Sequence, residues 1–415
     1  MQGVAIAKIL GPAGRGEFAA IILWANFFAA IGGLGGGVAL ARIAAKNKGD
    51  VADLKRMALI VGCVTGGLTA LLCNILIGVL LKGGGAHLVG TARLYTLFIP
   101  INHVILAMMS VDQGAGNLGE FNLRRVMLYP IYFGLVAALY VSGARDASEY
   151  CIALLVSNVL LLVYMIVRDH SALRIRSNSY SAIHILRAGS SFGIADIIVP
   201  MTQYLDKALV LWLLGPLNLG IYSVAGSASG IAAGISSAIG IVAFSVSASQ
   251  HEASDFRRIA KLFRQSLIAW GVVGLFLIIL MPFVLPALFG KDFKGAVMPA
   301  CVLVFGVAFS GQGQIAEQVL RGQGVALAGI WGRLVALCAL CGVGVLLARG
   351  EFGVTGMAIS YSLSQAIYAA FLLAIIFKKY GVKFGEIIPG VSDCRDLMGA
   401  VRDKAYSFVK RNGIR

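Results

Sequence analysis

Leu10-Gly11-Pro12, followed by Gly16 and Phe18, returns later in the chain as Leu214-Gly215-Pro216, followed by Gly220 and Tyr222. The offset is 204 residues. Carried without gaps from 10 to 44, it keeps ten identities: Leu10, Gly11, Pro12, Gly16, Ala29, Ile31, Gly36, Val38, Ala39 and Ala44. Further on, Gly114-x-Gly116 is answered by Gly322-x-Gly324 at an offset of 208. Self-similarity at a fixed long period marks a duplicated structural unit, so the chain reads as two homologous halves. The register also reaches upstream. The helix that ends at Leu214 begins near Gly189, so its counterpart ending at Leu10 is expected to begin before Met1. Roughly 15–25 residues of that first helix are expected upstream, so the helix is expected to be truncated in this chain.

Composition decides what each half is made of. Of 415 residues, 59% are hydrophobic and only 13% charged, and the mean hydropathy is +0.86. A soluble domain carries roughly 45–50% apolar and about 25% charged residues, so this chain has too little polar surface to wet a globule. A bilayer core takes about 20 apolar residues of helix to cross. Runs of that kind fall near 17–43, 57–82, 91–111, 124–143, 149–168, 189–214, 218–248, 263–289, 295–318, 327–348 and 353–377, with the short apolar piece Val4–Leu10 ahead of them. The expected fold is an all-α polytopic membrane protein of two homologous six-helix bundles. Residues 1–168 form the N-terminal half, 169–188 a linker, 189–378 the C-terminal half and 379–415 a basic tail.

The 35 Lys and Arg against 19 Asp and Glu give a net charge of +16. In a soluble protein this would point to nucleic acid; here it has a topological explanation, and no nucleic-acid partner is expected. Alternating sides from helix to helix leaves only Lys8, Arg15, Lys82, Arg93, Arg145, Lys291, Lys294 and Arg349 on one face, and Lys207 inside a span. The other Lys and Arg share the opposite face, which is therefore the cytoplasmic one. The linker with Arg174, Arg176 and Arg187, the segment with Arg257, Arg258, Lys261 and Arg264, the tail and the native N-terminus all fall there. Basic juxtamembrane segments also attract anionic lipid.

Several motifs carry no chemistry. Gly114-Ala115-Gly116-Asn117-Leu118-Gly119 matches GxGxxG, but a dinucleotide site needs a strand before it, and here a membrane helix precedes it. Its recurrence in the second half reads as a tight cytoplasmic turn. There is no GxxxxGK[ST] for ATP, the five histidines (87, 103, 170, 184, 251) make no HExxH pair, and no serine sits in a nucleophile elbow. The seven cysteines, including the CxxC of Cys338 and Cys341, lie mostly in apolar runs and imply no disulfide framework. No enzyme, cofactor or metal is expected.

Charges within spans are functional hypotheses by default, because placing them in hydrocarbon is costly. Asp196, Asp206 and Lys207 all fall in the helix ending at Leu214. Asp206 lies about 12 Å of helix rise before that end, and neighbours on a helix point about 100° apart. At least one of Asp206 and Lys207 is thus expected to face a wet cavity; the alternative is a structural charge satisfied by a partner. Arg321, Arg333, Arg124 and Arg125 flank helices as interfacial anchors or ligand contacts, and Glu317 is a weaker candidate for pairing or proton coupling. Gly32–Gly37 lies inside a span, where glycines serve either close packing or local unwinding.

The segment Ile9–Phe18 resembles the LGPxGxGxY/F signature of Wzx-type polysaccharide flippases, members of the MOP exporter superfamily alongside MATE drug exporters and lipid II flippases. Tyr204-Leu205-Asp206-Lys207 with the second LGP is similar to the start of that family's second half. The resemblance implies a MATE-like fold in the bacterial inner membrane and transport of an undecaprenyl-pyrophosphate-linked oligosaccharide from the cytoplasmic to the periplasmic leaflet. The glycan would serve lipopolysaccharide or exopolysaccharide synthesis, with the polysaccharide polymerase machinery as a further partner. It also implies alternating access around a cleft between two bundles, as in repeat-built transporters. On this reading Lys207, Arg321 and Arg333 are the substrate-binding cations for the pyrophosphate, and Asp206 is the carboxylate coupling transport to an H⁺ or Na⁺ gradient.

A MATE-like multidrug or cation antiporter is the rival on the same architecture; it would favour an acidic cavity, whereas the intramembrane charges here include both signs. A polysaccharide polymerase or ligase would need a sizeable periplasmic loop, and Gly215–Leu217 and Gly290–Gly295 are too short. Lipid II transport stays open, although members of that branch carry extra C-terminal helices and none follows Phe377.

Overall fold

The computed structural model of the chain describes residues 2–82, 85–170, 180–190, 193–248, 256–325, 327–381 and 384–390, together with Asp393 and Arg395. The described residues are overwhelmingly helical. In chain order the helices are α1 (Gln2–Ile31), α2 (Gly36–Lys46), α3 (Val51–Leu80), α4 (Val89–Tyr95), α5 (Phe98–Ala115), α6 (Leu118–Val141), α7 (Ala147–Arg168), α8 (Ala182–Gly189), α9 (Gly193–Ser229), α10 (Ala233–Ala248), α11 (Phe256–Phe289), α12 (Val297–Gly322), α13 (Leu327–Arg349) and α14 (Gly353–Tyr380). Nine helical stretches among the described residues are long and apolar enough to cross a membrane, and the bent pair α1–α2 makes a tenth. Exposed Leu68, Ile75, Val79, Leu275, Phe276 and Phe283 give α3 and α11 the apolar outer faces that a lipid solvent requires.

Three expected spans are drawn differently. The run 17–43 is not one straight helix: four residues, Gly32–Gly35, leave the helix, and α1 and α2 bend by 48° across them. The runs 189–214 and 218–248 are not separated at the LGP motif. Gly215 alone leaves helical geometry (φ 82°, ψ 177°), and α9 continues to Ser229 before a short 3₁₀ turn leads into α10. Gly11 does the same in α1 (φ 66°, ψ −174°). A single left-handed residue suits glycine, and the proline after it starts the next helical turn with its φ preset. One residue therefore kinks the chain without leaving a loop. The repeat is visible in the matching conformations of Gly11 and Gly215, and again in Gly116 (φ 84°) and Gly324 (φ 77°), which make the tight turns expected there.

The chain divides into two compact units. One comprises Met1–Val224 with Pro286–Gly295 and Ala348–Val354; the other comprises Ala225–Leu285, Ala296–Leu347 and Thr355–Arg415. The first has a core of Leu40, Leu54, Met57, Val61, Val104, Met108, Leu161 and Met165, drawn from α2, α3, α5 and α7. The second is built on Ile259, Phe263, Ile315, Val319, Tyr368 and Leu372 from α11, α12 and α14. Within the first unit the two LGP motifs pack on each other. A Cβ added to Gly16 would overlap the Pro216 carbonyl, and one added to Gly220 would overlap the Pro12 carbonyl.

Arg174, Arg176, His251 and residues 396–415 of the basic tail lie outside the described residues.

Candidate functional site

The break between α1 and α2 organises a site in the first unit. Leu34 (φ 47°) and Gly35 (φ 73°) turn the chain left-handed, and a helix end leaves its last carbonyls without amide partners. Gly32 still donates to the Phe28 carbonyl. The Ala29 carbonyl instead takes His103 Nε2 of α5 at 2.9 Å. The other ring nitrogen of this buried histidine lies 3.0 Å from Thr65 Oγ1, and Thr65 donates to the Val61 carbonyl at 2.8 Å. Of the two readings of Gly32–Gly37, the unwound one is present. Beside the break lies a cavity of about 490 Å³, whose polar lining is Asn26, Thr65, Asn102, His103, Ser110 and Tyr204. Among the described residues, no Asp, Glu, Lys or Arg lines it.

The charges expected in the membrane flank this site. Asp206 is 5% exposed. Tyr222 donates to its Oδ2 at 2.9 Å, while Oδ1 is buried without a hydrogen-bond partner. Lys207 turns to a different side: Nζ donates to the Gln203 carbonyl at 2.9 Å and lies 5.6 Å from the Tyr204 ring, which lines the cavity. The adjacent acid and base therefore do not neutralise each other. Asp196 lies on α9, with its side chain outside the described residues.

In the second unit Arg333 is held by Glu317, with Nη2 to Oε2 at 2.6 Å. Tyr368 donates a short hydrogen bond to the same oxygen, and the Arg333 guanidinium carbon lies 4.9 Å from the Tyr368 ring. Glu317 and Arg333 therefore act as one neutralised pair, each about one-sixth exposed. Arg321 is exposed in the last turn of α12, where a cation complements the helix dipole.

Sequence reasoning missed a buried ionic ring. Lys55 of α3 lies 2.9 Å from Asp112 of α5 and 2.9 Å from Asp169, just past α7. Arg124 of α6 closes the ring, 2.6 Å from Asp112 and 2.9 Å from Asp169. Arg124 is 1% exposed, so it is not the interfacial anchor that its position suggested. Two cations and two anions balance, and Glu120 continues the network from Arg124 to Arg168. The ring ties together the ends of four helices. Its members lie at the ends of apolar runs, where a charge reads as interfacial, so only the three-dimensional pairing reveals them.

The chain matches the family model described as polysaccharide biosynthesis protein over residues 5–299. No curated protein sequence matches it. Among solved structures it is similar to an inward-facing multidrug resistance MATE family transporter of the MOP superfamily, with 14% identity, 92% of this chain and 94% of that one covered, and a TM-score of 0.76. It is also similar to the lipid II flippase MurJ in an inward closed conformation, with 12% identity, 91% and 86% covered, and a TM-score of 0.71. A third match is a MOP superfamily transporter from Pyrococcus furiosus described as having a binding pocket of reversed polarity, with 17% identity, 92% of both chains covered and a TM-score of 0.60. These neighbours are transporters and flippases rather than enzymes, and the resemblance carried by Ile9–Phe18 is borne out. The chain belongs to the polysaccharide biosynthesis protein family and has the membrane fold of the MOP superfamily.

Proposed function

We propose that the protein is a flippase carrying an undecaprenyl-pyrophosphate-linked oligosaccharide from the cytoplasmic to the periplasmic leaflet of the bacterial inner membrane. Both termini of the native chain are cytoplasmic, and transport works by alternating access, driven by an H⁺ or Na⁺ gradient. The observation that carries this reading is the chemistry of the cavity in the first unit. Its amides, hydroxyls, imidazole and one phenol suit the hydroxyl groups of a glycan, which need many neutral donors and acceptors. A cation exporter calls for a carboxylate in the cavity wall, and none lines this one among the described residues. Sugars and pyrophosphate cannot enter hydrocarbon unaided, because unpaired polar groups and charges are expensive there. Lys207, beside the cavity wall, meets the pyrophosphate, and Arg321 and Arg333 are assigned the same role in the second unit. Arg333 takes it by exchanging its carboxylate partner for a phosphate. Asp206, buried with one free oxygen, is the coupling carboxylate.

The test is mass spectrometry of lipid-linked oligosaccharide in cells lacking the gene. Accumulation of the precursor with loss of surface glycan, reversed by the wild-type chain, supports the reading. No accumulation in a strain without a redundant flippase moves the assignment to a cation exporter. Alanine at Lys207, Arg321 and Arg333 that leaves transport intact at normal protein level removes those residues from the site.

A further inference from the structure

The polar side chains of the cavity wall divide into two sets. His103 has both ring nitrogens occupied, by the Ala29 carbonyl at 2.9 Å and by Thr65 at 3.0 Å. Thr65 donates to the Val61 carbonyl, and Ser110 donates to the Leu106 carbonyl at 2.8 Å. These three are committed to the backbone of the wall itself. The carboxamides of Asn26 on α1 and Asn102 on α5, and the hydroxyl of Tyr204 on α9, line the same cavity. Among the described residues none of these three groups makes a hydrogen bond. The Tyr204 ring is nonetheless held in place, edge-on to Phe27 at 6.2 Å.

Polar groups inside a protein are normally paired, so those left open in a cavity wall fall to whatever fills the cavity. Water can serve them, and a ligand that displaces it must offer partners as good. The inventory defines that ligand. Two carboxamides present four N–H donors and two carbonyl oxygens, and the phenol adds one donor and one acceptor. This balanced set suits neutral groups that both give and accept hydrogen bonds, as sugar hydroxyl and acetamido groups do. A sugar carboxylate would sit here unpaired, at high cost, since among the described residues no Lys or Arg lines the cavity. The volume of about 490 Å³ lies within the roughly 300–1,000 Å³ of small-molecule sites.

We propose that Asn26, Asn102 and Tyr204 are the specificity-determining residues of this cavity, and that they select an uncharged sugar over a uronic acid. The assignment rests on the flippase reading, which makes a glycan the cargo, but the sugar preference belongs to the cavity and is measurable without transport.

Binding and transport are therefore measured separately on the full chain. In detergent, thermal unfolding is followed with the neutral disaccharides N,N′-diacetylchitobiose, lactose and maltose, and with digalacturonate. At least one neutral disaccharide at saturation raises the melting temperature of wild type by at least about 2 °C, and digalacturonate does not. Asn26→Leu, Asn102→Leu and Tyr204→Phe each weaken that binding about five- to tenfold. Without sugar each melts within about 1 °C of wild type, because none of the three groups holds the fold through a hydrogen bond. Asn117→Ala, at an exposed asparagine outside the cavity, keeps full affinity. Gly33 lines the cavity, and a Cβ added there meets nothing within 4 Å. Gly33→Leu therefore fills the space and abolishes binding, and it decides the matter should an asparagine variant fail to fold. In proteoliposomes, wild type flips undecaprenyl-pyrophosphate carrying a neutral trisaccharide faster than the same carrier with a uronic-acid trisaccharide, and the three variants lose that preference. Sugar binding by wild type without flipping of either carrier overturns the flippase reading and leaves the sugar site standing. Flipping by all three variants with wild-type rate and preference overturns the sugar site and leaves the flippase reading standing. No response of wild type to any neutral disaccharide, or an equal response to digalacturonate, also overturns the sugar site.

Discussion

Replacing Arg124 with methionine removes the only guanidinium of the buried ionic ring. It leaves Asp112 and Asp169 sharing the single charge of Lys55. Asp112 is 0% exposed and Arg124 1%, and the two lost contacts are 2.6 and 2.9 Å long. Solvent cannot screen the carboxylate that is left over. Breaking one partner out of a buried pair costs about 3–5 kcal/mol. In a unit of this size that lowers the melting temperature by about 6–20 °C. The design contains its own control. Adding Asp112→Asn restores neutrality, leaving Lys55 to pair with Asp169, so the double variant recovers about half of the loss. Arg124→Lys keeps the charge but cannot reach both carboxylates in one planar fork, so it falls in between. The assay is fluorescence-detected size exclusion after stepwise heating of detergent-solubilised protein. If Arg124→Met melts within about 2 °C of wild type, or the double variant is no better than the single, the ring does not hold the helix ends.

Other consequences follow from the same contacts. Gly16→Ala and Gly220→Ala each drive a methyl group into a backbone carbonyl of the opposing LGP motif; both variants are expected to lose most folded protein on expression blots, while Gly3→Ala, in open space, does not. His103→Leu leaves the Ala29 carbonyl without its partner, at a cost of about 1–3 kcal/mol, and glycan transport falls at near-normal protein level; unchanged transport would remove the helix break from the mechanism. Asp206→Asn keeps the Tyr222 contact but loses the charge, so transport falls at least about tenfold and no longer responds to the ion gradient, whereas Tyr222→Phe retains the response. Near the tail, the Gly390 amide and then the Arg264 guanidinium hold the Asp393 carboxyl below the usual carboxylate range. A depressed value means the contact stabilises the folded form above about pH 4 and is lost as pH falls through the folded value. Hydrogen-exchange protection around 384–390, taken relative to the intrinsic amide rate at each pH, should be unchanged from pH 8 to 5 and fall only under stronger acid, and Asp393→Asn should remove that acid dependence.

Much of this architecture is legible in the chain, for identifiable reasons. Apolar runs locate helices because a bilayer leaves them no alternative, and the LGP repeat is unmistakable because only glycine accepts φ near +66° and +82° at those turns. Helix limits at Gly215 were not legible, since the kink is one residue long and hydrogen bonding resumes at once. Asp206 stood out because it is deep in an apolar run. Lys55, Asp112, Arg124 and Asp169 did not, because each sits at the edge of such a run and its partner is far along the chain; Lys55 and Asp169 are 114 residues apart. Read singly, Glu317 is a candidate for pairing or proton coupling and Arg333 an anchor or ligand contact; their pairing across the α12–α13 turn appears only in three dimensions. His103 was passed over because it lacked a metal-type companion, although its partner is a carbonyl released by the glycine break.

The most direct test of the account is a reconstituted flipping assay. Wild type and Asp206→Asn are placed in proteoliposomes with a fluorescent undecaprenyl-pyrophosphate oligosaccharide, with and without an imposed H⁺ or Na⁺ gradient. The account predicts that wild type moves the labelled glycan across the bilayer and accelerates under one of the gradients, and that Asp206→Asn shows no acceleration. Glycan that stays in its original leaflet under every gradient, while a lipophilic cation is exported from the same vesicles, would contradict it.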